Sequence, residues 1–341
     1  MPDVDTTAIA TVGLGVGPDE AQDAGDVEPG TGRRLLSVLR KRPGAIVGAL
    51  GLTAITLIAV LAPVLAPYDI HEQSGAVYAH PSSAHLLGLS DQGIDVVSQL
   101  MWACRISLLV GFAAAVVSIV IGGAVGIVAG YFGGRVDLVL ALITDYFIVV
   151  PALPVLIVAA AVWGPSLPHI IIILGLLLWT TPARLIRAQT KSLRERTYVR
   201  RARSLGAGHL HVILRHVVPH TAPLLIANAI LAVSAAIFAE TALSFLGLGD
   251  ASQVSLGVLI ENAYNHGAAT VNAWWVLYPP GILVMVIVMC ATLVGLAVED
   301  VLNPRSRHVP VGWRLLMARR IPLRGEDPAE DPAAELEEER G

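Results

Sequence analysis

The feature that most constrains this chain is a series of long stretches without one charged side chain. No charge occurs between Arg42 and Asp69, nor within 106–134, 146–183, 216–239 or 262–298. A hydrocarbon core about 30 Å thick is crossed by about 20 apolar residues of helix, and each stretch is at least that long. Lipid offers the backbone no hydrogen-bond partner, so a spanning segment of this kind must be helical. The chain therefore reads as an all-α polytopic membrane protein. Its charged fraction of 15% fits, since an ordinary soluble domain carries about 25%. The net charge of −4 averages acidic ends against basic loops.

Six transmembrane helices are predicted. The first covers about 44–66, within an N-terminal anchor helix of 33–66. Its apolar region exceeds the 7–15 residues of a secretory signal core, which removes the rival reading of a cleaved leader. The others cover about 103–130, 137–162, 168–186, 220–247 and 275–298. Trp163-Gly164-Pro165 supplies the turn that splits the 38-residue uncharged block into two helices. Residues 1–32, with seven acids and no base, and the segment after Pro322, which runs into Glu-Leu-Glu-Glu-Glu-Arg, read as disordered, the latter within a cytoplasmic tail of 306–341. Residues 67–102 form an extracytoplasmic segment ahead of a five-helix core, 103–305.

Orientation follows from the bias of Lys and Arg toward the cytoplasm. With the N-terminus inside, the segments 33–42, 131–136, 184–219 and 299–341 hold 22 of the 23 basic residues. The exception is Arg105, at the outer end of the second span. Both ends are thus expected in the cytoplasm.

Chemistry is sparse. Cys104 and Cys290 both lie in or beside apolar blocks, so no disulfide framework exists. The two lysines, Lys41 and Lys191, follow no Gly-rich loop, so the chain has no phosphate-cradling G-x-x-x-x-G-K-[ST] segment. Ten histidines raise the question of a metal. His216 and His220 stand at chelating i, i+4 spacing, but Pro219 intervenes and no Cys or carboxylate joins them, so no metal site is expected.

The inner loop 184–219 is the most informative stretch. It holds nine basic residues against one acid, Glu195. Tyr198, Ala202 and Leu205 repeat with helical spacing; after Gly206-Ala207-Gly208, so do Leu210, Ile213, Leu214 and Val217. Apolar stripes at the mouth of a membrane protein need a cover, either anionic lipid or a docked partner.

The run from Tyr198 to Ala207, continuing through Ile213 to Pro219, resembles the "EAA" loop of bacterial ABC-importer permeases. That loop reads Tyr-Val-Glu-Ala-Ala-Arg-x-Leu-Gly-Ala, then Arg-His-x-Leu-Pro; Arg200 and Arg201 replace its Glu and first Ala. Further matches resemble the "C" permease of dipeptide, oligopeptide and nickel importers. They are Ala66–Asp69, Pro81–Gly88, Arg105–Leu108, Gly130–Gly134 with Asp137, Leu243–Gly249, and Asp300 with Asn303–Arg305. One outer motif departs: Gly88-Leu89-Ser90-Asp91-Gln92-Gly93-Ile94-Asp95 has Ser90 and Ile94 where the family has Asp and Arg.

The resemblance implies a type I ABC importer permease fold and a subunit of an ATP-driven peptide importer in the bacterial plasma membrane. It implies ATP and Mg²⁺ held by partner ATPases, with no cofactor bound directly, no catalytic residue here and no nucleic acid. The implied partners are a homologous B-type permease, two ABC ATPases, an extracytoplasmic binding protein and the lipid bilayer. Tyr198, Arg200, Arg201, Ala202, Leu205, Gly206, Ala207, Leu210 and Pro219 would form the ATPase-coupling loop. Nickel or another small peptidic or chelated solute is an alternative cargo.

Acids at membrane depth are expensive unless they face an interior, a cavity or an interface. Asp145 reads either as a cavity-lining group or as a buried acid bonded to a neighbouring helix. Glu240, with Ser244 and Phe245 beside it, reads as part of the translocation path or gate. Gly122, Gly123 and Gly126 predict close helix approach in the second span. Two other classes fit less well. An intramembrane protease lacks its Ser–His or paired-Asp set, and a self-sufficient secondary carrier lacks internal repeats.

Overall fold

The computed structural model describes residues 43–302, so the expected tails 1–32 and 306–341 and the basic flank 33–42 lie outside the described residues. Helix α1, Pro43–Val60, is the first span. One more turn, Ala62–Leu65, ends it against Ala66-Pro67, where the residue before a proline is pushed out of the helical region.

Residues 67–95 are irregular. Helix α2, Val96–Phe132, starts seven residues before the expected 103. The cause is a cap: Asp95 Oδ2 accepts hydrogen bonds from Ser98 N (2.9 Å) and Ser98 Oγ (3.0 Å), which satisfies an amide that the helix start leaves orphaned. The expected third span is two helices, α3 (Gly134–Val149) and α4 (Ala152–Trp163), bent by 87° at Val150-Pro151. Pro151 sits at this corner, where the ring removes a donor and clashes with the preceding turn. The fourth is likewise two helices, α5 (Leu167–Leu178) and α6 (Thr180–Arg194), bent by 42°.

Helix α7, Thr197–Ser204, is followed by a turn and then by a helical run that starts at His209 and holds as far as Gly247, whose φ of +77° ends it. Within it α8, Val218–Leu243, is flanked by π-helical turns Ile213–Val217 and Ser244–Leu248. Pro219 is the second residue of α8, directly after the π-helical turn Ile213–Val217, where the helical hydrogen bonding already shifts its register. Helix α9, Leu256–Asn265, was not expected in the outer segment, and α10, Trp274–Leu302, is the last span. Among the described residues, four unbroken segments are long and apolar enough to cross a membrane, or up to six if each bent pair is one span. Beyond one isolated bridge, Leu89 with Asp95, the described residues contain no strand.

Glycine decides the packing. Gly122, Gly126 and Gly130 recur every fourth residue on α2 and face α6. A Cβ on them would stand 2.5 Å from Trp179 O, 2.6 Å from Ala183 O and 2.7 Å from Arg187 O. No side chain fits there, so the two backbones touch, as membrane helices permit where small residues meet. Gly123 points instead at Leu225 of α8, and Gly111 at Ile237 of α8. Helix α2 is thus packed closely against both α6 and α8. Asp137 of α3 is held by Arg187 and by Lys191 Nζ (2.6 Å) of α6.

Residues 67–95 clasp the end of α9 and the start of α10. Trp275 Nε1 donates to Leu89 O (3.4 Å), Tyr78 OH donates to His266 O (3.0 Å), and His266 Nδ1 meets Asp91 Oδ2 at 2.7 Å. The departed motif is intact as a loop. Buried Ser90 Oγ accepts from Gln92 N and Ile94 N, both at 3.3 Å, and Ile94 is buried rather than charged. Gly88 and Gly93 both have positive φ, +67° and +72°, which only glycine adopts freely.

Candidate functional site

The inner loop is built from an anchored face and a free face. Val199, Val212 and Val217 are fully buried and pack with Ile127, Tyr131, Ile186 and Leu193, the inner ends of α2 and α6. Arg203 lies 4.4 Å over the ring of Tyr131, whose hydroxyl is 3.0 Å from His209 Nδ1. Tyr198 stacks on His220 at 5.8 Å and packs against His216. These contacts fix the loop to the spans from both of its halves.

The other face is exposed. Leu205, Leu210 and Leu214 are 88%, 69% and 59% accessible, and Arg200 and Arg201 are exposed beside them. Gly206 takes φ +87°, and a Cβ there would meet nothing within 4 Å; it turns the chain at the loop's tip. Ala202 and Ala207 are half-buried and Pro219 is exposed. Two expectations change. The loop begins at Glu195, not at 184, because Ala183, Ile186, Thr190 and Leu193 are needed as the buried face of α6. The second helical piece is not separate: it runs straight into α8.

Glu240 is not on an open path. It is 1% exposed, inside the subunit. Its Oε2 accepts from Ser107 Oγ of α2 (3.1 Å) and its Oε1 from Ser244 Oγ (2.9 Å), while Ser107 Oγ in turn accepts from Leu256 N at the start of α9 (3.2 Å). A buried carboxylate needs such partners, and the result is a polar node tying α2, α8 and α9 together. Ser244 is buried in the same node, so the subunit's own fold covers both residues. Phe245 is 40% exposed and lies edge-on to Tyr264 of α9.

Asp145 is exposed rather than buried, although it is bonded to a neighbouring helix. It pairs with Arg184 of α6 at 3.0 Å, with side chains 60% and 59% exposed. The pair stands on the surface of this chain, between α3 and α6. Among the described residues no three His, Cys, Asp or Glu converge on a metal-sized space.

Sequence reasoning missed Val199 and Val212, and placed Val217 on the apolar stripe without separating it from the leucines that stay free; these three valines hold the loop. It also missed Asp250, whose Oδ2 accepts from Leu167 N (3.1 Å) and whose Oδ1 accepts from Ser252 N (3.0 Å) and Ser252 Oγ (2.6 Å). Burial acts to raise the Asp250 carboxyl, but these hydrogen bonds outweigh it and hold it below the ordinary aspartate value. Asp250-Ala-Ser252 is the sequence signal for such a turn, because Asp side chains bond their own backbone two residues on.

Comparison with known proteins supplies the context. Residues 122–308 match the binding-protein-dependent transport system inner membrane component, and residues 31–82 match the N-terminal TM domain of oligopeptide transport permease C. The chain is 36% identical over 288 residues to the oligopeptide transport system permease protein OppC of Mycobacterium tuberculosis H37Rv, covering 83% of this chain and 98% of that one. It is 37% identical over 277 residues to the dipeptide transport system permease protein DppC of Escherichia coli K12, covering 79% and 91%. With DppC of Bacillus subtilis 168 the figures are 34% over 274 residues, 79% and 84%.

Proposed function

Because the chain belongs to the family of binding-protein-dependent transport system inner membrane components, we propose that it is one membrane subunit of an ATP-driven peptide importer. The exposed leucine and arginine face of 197–217 is its coupling surface. ATP and Mg²⁺ are handled by two cytoplasmic ATPases, a B-type permease supplies the other half of the pathway, and an extracytoplasmic binding protein delivers the peptide. Both termini are cytoplasmic. The relatives named for oligopeptide and dipeptide transport support peptides as cargo over nickel.

The observation that carries the reading is the division of the loop. Three buried valines fix it to the spans while three leucines stand in water beside it. A surface so exposed and so firmly held is suited to receive a load. The route for that load is short. The loop continues α6 and runs without a break into α8, and α6 is locked to α2 through the backbone contacts at Gly122, Gly126 and Gly130. A push from the closing ATPases moves α2, α6 and α8 as one body and parts the outer clasp of 67–95 on α10. In energetic terms, ATP binding favours the outward-open state by the difference in docking energy between the two states.

The test is uptake of labelled di- and tripeptides by proteoliposomes that contain the whole importer, with and without ATP. ATP-dependent uptake that is lost in Leu205→Asp/Leu210→Asp, with the two permeases still assembled, supports the reading. Flux by this chain alone without ATP would make it a secondary carrier and overturn the proposal.

A further inference from the structure

The basic residues of 184–219 fall into two sets. Five are already answered within the subunit: Arg184 by Asp145, Arg187 and Lys191 by Asp137, Arg194 by Glu195, and Arg203 by the face of Tyr131. The other four, Arg196, Arg200, Arg201 and Arg215, are exposed, and none has an acidic partner among the described residues. The separation is spatial. At 100° per residue around α7, the buried Val199 and the tethered Arg203 face the span ends, while Arg201 lies on the opposite side. That is the side of Leu205, and beyond the Gly206 turn Leu210, Leu214 and Arg215 are exposed as well.

A basic amphipathic segment lying on anionic lipid turns its apolar face toward the bilayer. This loop does the reverse. Its span-facing side is already filled by Val199, Val212 and Val217 against the subunit's own helices, and its free leucines lie away from them. The complement is therefore a protein surface with an apolar floor and an acidic rim.

We propose that Arg200, Arg201 and Arg215 select the partner ATPase, by meeting carboxylates on the rim of the cleft that receives Leu205, Leu210 and Leu214. The inference rests on the coupling reading above and goes further, in naming the chemistry of the partner's docking cleft. Uncompensated charge at the edge of an interface acts mainly on encounter rate and salt dependence, while the leucines supply the desolvated centre. The two contributions can be measured apart.

The experiment purifies the importer by a tag on this chain, in nanodiscs of phosphatidylcholine alone and of phosphatidylcholine with phosphatidylglycerol, and measures ATPase-subunit binding across a salt series. Arg200→Glu/Arg201→Glu is expected to weaken binding at least tenfold at 50 mM salt, with the difference shrinking toward 500 mM as the charges are screened. Arg200→Lys/Arg201→Lys is expected to bind within about twofold of the native chain, and both results are expected in both nanodiscs. Wild-type binding by the Glu variant overturns the proposal, as does a loss confined to phosphatidylglycerol discs, which would assign the arginines to lipid. Leu205→Asp/Leu210→Asp keeps the two readings apart. If it releases the ATPase while the Glu variant does not, the coupling surface stands and the charge selection fails. If the native chain recovers no ATPase in any disc, the coupling reading itself fails, and the charge proposal with it.

Discussion

Glu240 has a hydroxyl on each carboxylate oxygen, from two different helical segments. Replacing it by Gln keeps the shape but gives up the two equivalent acceptors, and a buried donor left without its partner costs about 1–3 kcal/mol. Glu240→Gln is therefore expected to lower the thermal midpoint of the purified protein while leaving the rank order of transported peptides unchanged. A changed rank order would return the residue to the pathway. Asp250 gives a pH prediction with a definite sign. Its carboxyl is held below the ordinary value, so it stabilises the folded state above the unfolded aspartate value of about 3.9 and loses that contribution as the pH falls through the folded one. Asp250→Asn is expected to melt lower than the native chain at pH 7, and the gap is expected to close in acid; a gap that widened in acid would contradict the assignment. That Glu240 needed a special environment was legible from its place in an uncharged run. Its partner Ser107 was not, being 133 residues away and one small polar residue among many on an apolar helix.

At the scale of elements, the uncharged blocks located the spans because length and hydropathy alone decide what crosses lipid. Boundaries and bends depended on details that periodicity does not carry. Asp95 extended α2 outward through a cap, and Pro151 broke one expected span at an 87° corner. In the inner loop the helical stripe was visible, yet only the tertiary fold separates the valines that anchor from the leucines that stay free. The close approach of α2 and α6 is testable by volume. Gly126→Leu places a side chain where Ala183 O and the Ile186 Cβ already stand at 2.6 and 2.9 Å, and overpacking of this kind costs about 1–3 kcal/mol. Gly281→Ala in α10 is the control, since a Cβ there meets nothing within 4 Å; it is expected to be neutral or stabilising by up to about 1 kcal/mol. Both follow from unfolding midpoints in detergent. Equal losses for the two variants would mean that the contact is not tight.

At the scale of the molecule, the orientation inferred from 22 inner basic residues can be checked directly. Cys104 and Cys290 are buried, so introduced thiols report with little background. Ser252→Cys, in the outer turn, is expected to react with a membrane-impermeant maleimide on intact spheroplasts. Ser204→Cys, at the end of α7, is expected to react only after the membrane is opened, and labelling in the opposite sense would invert the topology. One consequence concerns α2. Its 37 residues make a rod of about 55 Å, against a hydrocarbon layer of about 30 Å. One end is capped by Asp95, which His85 also holds, and the other presents Tyr131 to Arg203 and His209. A helix longer than the layer it crosses adjusts by tilting, more so as the layer thins. Acyl-chain length is thereby expected to act on both ends of α2 at once, through a tilt that its packing against α6 and α8 restrains.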